Sequence, residues 1–170
     1  MTEQPPSELR AKALREWEAH VARLRETVSR LSEEELSVGV AGEAWTVAQI
    51  LYHAAAGLTY PRDLHQIALT TREATSADMR IYDPPVDELP SREELLALID
   101  QRVAATRAYV AALAEDAFFA VTPVTMPSGR QVDVSLPAVL QSSIDHLREH
   151  LEQVQEWLAR GRPVERRLLT

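Results

Sequence analysis

The five histidines are the only side chains in this sequence that are natural ligands for a borderline metal ion. His146 and His150 stand four residues apart in Asp-His-Leu-Arg-Glu-His-Leu. On a helix that spacing sets both rings on one face, about one turn apart, so two imidazoles can converge on one cation. Val139, Ser143 and Trp157 share their stripe, beside the apolar stripe of Leu140, Leu147, Leu151 and Leu158. Both rings therefore point into or beside a seam between helices, where an unpaired polar group is costly. For the pair alone, the alternative is two core-edge histidines satisfied by nearby carbonyls or carboxylates. His53 lies in Trp-Thr-Val-Ala-Gln-Ile-Leu-Tyr-His-Ala-Ala-Ala, where Ala54, Ala56 and Gly57 leave room beside the ring. A lone buried histidine is more often structural. Three from two buried helices make a facial set with open positions, which is how catalytic metal sites are built.

Other polar residues are candidates for supporting roles. Gln49 stands one turn before His53 and Gln153 one turn after His150; either can orient a water or substrate, against the plain readings of cap and surface amide. Tyr60, one to two turns past His53, is a candidate to line a cavity. His20, between Trp17 and Leu24 on the first helix, is a candidate to support the ligands. His65 lies about 18 Å along the helix axis from His53, so it is expected to be structural or on the surface. Asp145 and Glu149 are expected to face solvent and make poor bases. Arg130, beside Pro-Ser-Gly, is placed to meet an anionic substrate by its loop position alone.

Four helical segments must position these residues. Alanine and leucine dominate, and glycine is limited to five residues. The first segment, residues 7–31, opens with Ser7 as its cap and carries Leu9, Ala13, Trp17, Val21, Leu24, Val28 and Leu31 at three- and four-residue steps. One short turn is expected at residues 32–36. The second, residues 46–72, opens on a Thr46–Gln49 capping box, with Trp45 placed to staple onto Ile50. Pro61 should kink it near Gly57. The third, residues 91–115, opens on a Ser91–Glu94 capping box. The fourth, residues 135–160, starts near Ser135, tolerates Pro137 in its first turn and stops at Gly161. Residues 121–134 allow a small hairpin at most. The expectation is one all-α domain spanning residues 1–170, a four-helix bundle with a long crossover between helices two and three.

Composition excludes several classes. The chain has 170 residues, 18 basic and 26 acidic side chains, hence a net charge of −8, and no cysteine. Without cysteine there is no disulfide scaffold, cysteine-held zinc, iron–sulfur cluster or cysteine nucleophile. The acidic balance argues against nucleic acid and against an anionic membrane surface. The longest apolar run, residues 50–58, is far short of a membrane span. No basic region followed by an apolar stretch opens the chain, so a cytoplasmic location is the default. The arginine-bearing tail, residues 160–170, reads as a solvated end.

The stretch Ala-Trp-Thr-Val-Ala-Gln-Ile-Leu-Tyr-His, followed about ninety residues later by Asp-His-Leu-Arg-Glu-His-Leu-Glu-Gln-Val, resembles the DinB-like (YfiT-like) superfamily. The resemblance covers essentially the whole chain, with one departure: Ala44 precedes the tryptophan where the family often has glycine. It implies a four-helix bundle with a crossover between helices two and three, usually a homodimer. It also implies one divalent metal, of which zinc, nickel and iron all suit imidazole, held by His53, His146 and His150.

The better-understood branches of that superfamily look like thiol-dependent enzymes, mycothiol-dependent maleylpyruvate isomerases and bacillithiol-type S-transferases among them; many others are described as metal-dependent hydrolases. What the resemblance implies is therefore an enzyme that activates a low-molecular-weight thiol or water against an electrophilic small molecule. The same residues admit a second reading, a non-catalytic bundle that binds a small apolar ligand or a partner helix, with structural histidines. A nucleic-acid function is suggested only by the superfamily's name, and the −8 charge speaks against it.

Overall fold

A computed structural model describes residues 5–85 and 89–163. Helix α1 (Pro6–Arg30) begins one residue before the expected Ser7 cap. Pro5 takes the capping position with no side-chain bond, and Pro6 fills the first turn, where a missing N–H removes a donor that has no partner anyway. Its buried stripe is Trp17, Val21, Leu24 and Val28. The short α2 (Glu33–Leu36) opens on a capping box between Ser32 and Glu35.

The second segment is two helices rather than one. Helix α3 (Val47–Ala56) opens on the Thr46–Gln49 capping box, gives way to a 3-10 turn at Gly57–Thr59, and resumes as α4 (Tyr60–Leu69). Pro61 lacks the N–H that would have bonded Gly57, so the break falls there. Thr106 donates its hydroxyl to the Leu58 carbonyl at 2.8 Å and satisfies one acceptor that the break frees. Two further elements lie within the long middle connection: α5 (Ser76–Met79), opened by a Thr75–Asp78 capping box, and a 3-10 turn at Arg80–Tyr82.

Helix α6 (Arg92–Ala112) opens on the Ser91–Glu94 box and buries Leu95, Ile99, Val103, Thr106 and Val110. After α7 (Glu115–Phe119), the hairpin of β2 (Thr122–Thr125) and β3 (Gln131–Val134) leads into α8 (Leu136–Arg160). Gly161 caps α8 as expected. One pairing has no counterpart in the sequence patterning: β1 (Val38–Gly39) runs antiparallel to β4 (Arg162–Pro163). The start of the arginine-bearing tail is thus tied down, though both β4 residues are exposed; the rest of that expectation lies outside the described residues.

The protein is all-α apart from these short ladders. Helix α8 packs against α1, α3 and α4, and α6 packs against α1 and α3, around a core that includes Trp17, Leu24, Ile50, Leu51, Leu95, Leu140 and Leu147. Each fully buried leucine or isoleucine there contributes about 1.5–3 kcal/mol. A smaller apolar cluster of Leu64, Ala68, Val124, Val134 and Val139 seats the hairpin on α4. Residues 72–74 join it, since Thr125 N–H donates to the Arg72 carbonyl and Ala74 N–H to the Thr125 carbonyl. Among the described residues, no helix is long and apolar enough to cross a membrane.

Candidate metal centre

Helices α3 and α8 bring three histidines together. His53 sits in the last turn of α3, and His146 and His150 face it from the middle of α8. His146 Nε2 lies 3.2 Å from His53 Nε2 and 3.0 Å from His150 Nε2. One ligand atom from each of the three residues falls within 4.8 Å of the others. Gly57 lies beside the cluster: a Cβ there would stand at ordinary contact distance, 3.6 Å, from His146 Cε1.

The spacing suits a metal ion. Nitrogens bonded at about 2.0–2.1 Å stand about 3.0 Å apart at a right angle and about 3.4 Å apart at a tetrahedral one. The observed separations fall between these limits. Proton placement makes the same point. His53 Nδ1 lies 3.0 Å from the Tyr82 carbonyl oxygen, which can only accept, so Nδ1 carries the proton and Nε2 presents a lone pair. His150 Nδ1 likewise donates to Gln153 Oε1 at 3.0 Å. His146 Nε2 therefore faces two lone pairs, and one N–H serves two acceptors poorly. A cation satisfies all three nitrogens.

Burial and crowding disfavour charge on two of the rings. Burial, then the neighbouring His150 and His53, push the His146 pKa down to about 4. Burial and His150 also lower His53, while the Tyr82 carbonyl and the Asp83 carboxylate pull the other way. Neutral imidazole is the form that binds metal.

The supporting residues divide. Gln153, a candidate to orient a water or substrate, instead has its Oε1 3.0 Å from His150 Nδ1 and accepts from that ring. Gln49 is buried and committed elsewhere: its Oε1 accepts the Thr46 N–H, and its Nε2 donates to the Pro85 carbonyl. Tyr60 meets Tyr82 edge-on, with ring centroids 6.0 Å apart. It lines a cleft of about 330 Å³ with Asp63, Ile67, Met79 and Tyr82. His20 bonds the Glu16 carbonyl at 2.9 Å and borders a groove with Arg23, Arg148 and Leu151, on a different face of α8 from His146 and His150. His65 is buried and structural, its Nδ1 2.7 Å from the Tyr109 hydroxyl. Asp145 is taken up by Arg148 and Gln141, and Arg130 is exposed on the hairpin turn.

Three residues at the centre escaped sequence reasoning. Tyr82 acts through its main-chain carbonyl, which no residue type announces. Trp45 lies with its ring 5.1 Å from that of His53, a wall on the cluster. Asp83 is the exposed carboxylate whose charge His53 feels. The Thr75–Asp78 capping box is the one signal in the sequence that pointed to an ordered segment there.

A helical protein with three imidazoles converging between two core helices defines a class: an all-α scaffold with a site that can hold a divalent metal. The sequence model of the DinB superfamily matches residues 16–154, and the chain belongs to that superfamily. No curated protein and no solved structure matches it.

Proposed function

We propose that the protein is a metal-dependent enzyme in which His53, His146 and His150 hold one divalent cation, and that it joins a low-molecular-weight thiol, or water, to an electrophilic small molecule. The observation that carries this reading is the convergence of three Nε2 atoms, two of them turned inward by partners on Nδ1. Zinc, nickel and iron all suit three imidazoles. Such a cation supplies Lewis acidity, which makes water or a thiol nucleophilic at neutral pH.

The chain's own residues supply the rest. The Tyr82 carbonyl and the Gln153 amide fix two ligand rings. The Trp45 indole offers a flat apolar wall beside His53. Asp83 is exposed, and its negative charge favours the protonated form of His53. With no cysteine in the chain, any sulfur nucleophile arrives as a cosubstrate. The reading includes a homodimer, which light scattering checks.

Untagged protein, reconstituted with zinc and freed of excess metal, is expected to retain about one equivalent. Thermal melts against a panel of bacterial thiols then separate the chemistries. A shift with one thiol that vanishes in His53→Ala favours transfer, and turnover of ester or amide substrates without thiol favours hydrolysis. Retention below about a tenth of an equivalent, with full stability and a tight dimer, would overturn the enzyme reading in favour of a binding bundle.

A further inference from the structure

His53 Nδ1 is held by a backbone carbonyl, and such a carbonyl is only as well placed as the segment that carries it. The segment is residues 76–82, formed by α5 and the 3-10 turn that follows. Among its described side chains only Tyr82 is buried; Ile81 is 58% exposed, and Ser76, Asp78 and Arg80 face solvent. Met79 adds a half-buried apolar contact to the smaller cluster, and the segment's side-chain and carbonyl hydrogen bonds to the body, among the described residues, are made at Tyr82. Its carbonyl meets His53 at 3.0 Å, and its phenol donates to Asp63 Oδ2, on α4, at 2.8 Å. The other carboxylate oxygen of Asp63 accepts from Arg62 Nε at 2.7 Å, and the Tyr60 ring braces the Tyr82 ring edge-on. A continuous path thus runs from the Asp63 carboxylate through one tyrosine to the ring of a ligand.

We propose that Asp63 and the Tyr82 phenol form a latch that holds residues 76–82 against the histidine cluster and so fixes His53 with Nδ1 protonated and Nε2 turned toward His146. Asp63 and Tyr82 are positioning residues. The consequence for metal affinity rests on the three-histidine reading above; the consequence for the His53 tautomer does not. Without the phenol's anchor the Tyr82 carbonyl moves more freely, and the Nδ1–H form of His53 loses its preferred acceptor. Partners one step out from a metal ligand set ring orientation and basicity in this way.

Long-range proton–nitrogen NMR of the histidine rings in the metal-free protein reads the tautomer, and chelator competition reads zinc affinity. In the wild type, His53 is expected as the Nδ1–H form. Tyr82→Phe, which keeps the ring and its packing, and Asp63→Ala are both expected to admit a substantial Nε2–H population and to weaken zinc binding about tenfold, the low end for losing an outer partner. Asp63→Asn keeps an oxygen that accepts from the phenol and is expected to stay close to the wild type in both readouts. A merely structural role would lower the melting temperature in all three and leave the tautomer unmoved. Wild-type tautomer populations in Tyr82→Phe would overturn the latch, as would a loss in Asp63→Asn as large as in Asp63→Ala. Failure of the wild type to bind any divalent cation would sink the metal reading instead, with the tautomer populations still deciding the latch.

Discussion

Replacing His146 by alanine separates metal binding from folding. His146 Nε2 takes part in both short contacts of the cluster, so its removal leaves two nitrogen ligands that do not share a close contact of this kind. Four-ligand structural zinc sites bind with about 10–16 kcal/mol, so one ligand is worth roughly 3–4 kcal/mol, or two to three powers of ten in Kd. At a free zinc concentration of about one hundred times the wild-type Kd, the wild type gains about 2.7 kcal/mol, and the variant less than about 0.4 kcal/mol. For a chain of this size each kcal/mol moves Tm by about 2–4 °C, so zinc raises the wild-type Tm by roughly 5–11 °C and the variant's by no more than about 2 °C. The metal-free proteins behave differently. His146 is half-buried, and burial and its two neighbours hold it neutral, so losing it relieves crowding while forfeiting contact near Gly57. The two metal-free forms should differ by no more than about 1 kcal/mol. Melts with and without zinc, alongside chelator competition, give both numbers. A variant that keeps the wild-type zinc shift would refute the reasoning, as would one whose metal-free form collapses while its zinc affinity is unchanged.

Other substitutions probe the surroundings. Gly57→Ala places a Cβ at ordinary contact distance from His146, 3.6 Å, in a helical backbone conformation; denaturant unfolding should show a gain of about 0.4–1 kcal/mol with zinc affinity retained. Gly57→Val extends beyond that contact and should displace the His146 ring, weakening zinc binding in the same competition assay. Gly161→Ala sets a Cβ 2.7 Å from the Trp157 carbonyl and 2.8 Å from that of Gly39, so unfolding should show a loss of about 1–3 kcal/mol without a change in zinc affinity. Burial is the largest cause lowering the His65 pKa below 6.5, so the unfolded chain takes up this proton more readily than the folded one. The stability that follows is fully present above about pH 6.5 and is lost as pH falls from there toward the folded pKa. His65→Gln should accordingly show a shallower decline in unfolding free energy below pH 6.5 than the wild type.

Helix starts and the histidine cluster were legible because each has a local signature. The Thr46–Gln49 and Ser91–Glu94 boxes form as their spacing predicts, and Gly161 ends α8. The His-x-x-x-His pair lands on one face because 3.6 residues per turn leaves no other choice. Ser7 misled because a proline pair serves the first turn equally well without a side-chain bond. Pro61 correctly marked a disturbance, but whether a helix bends or breaks depends on partners such as Thr106 that come from elsewhere in the chain. The β1–β4 pairing joins residues more than 120 apart through two-residue strands too short for any period to show. Gln49 illustrates a subtler limit. Its position one turn from His53 suggested a site role, yet its amide is spent on the cap that starts the helix and on the Pro85 carbonyl. Tyr82, which does reach the site, does so through atoms common to every residue.

Crystals of untagged, zinc-reconstituted protein, measured on both sides of the zinc absorption edge, test the three-histidine centre most directly. The account predicts one anomalous peak about 2.0–2.1 Å from the Nε2 atoms of His53, His146 and His150 together. A peak bound elsewhere, or none among these three nitrogens while zinc is present in the crystal, would contradict it.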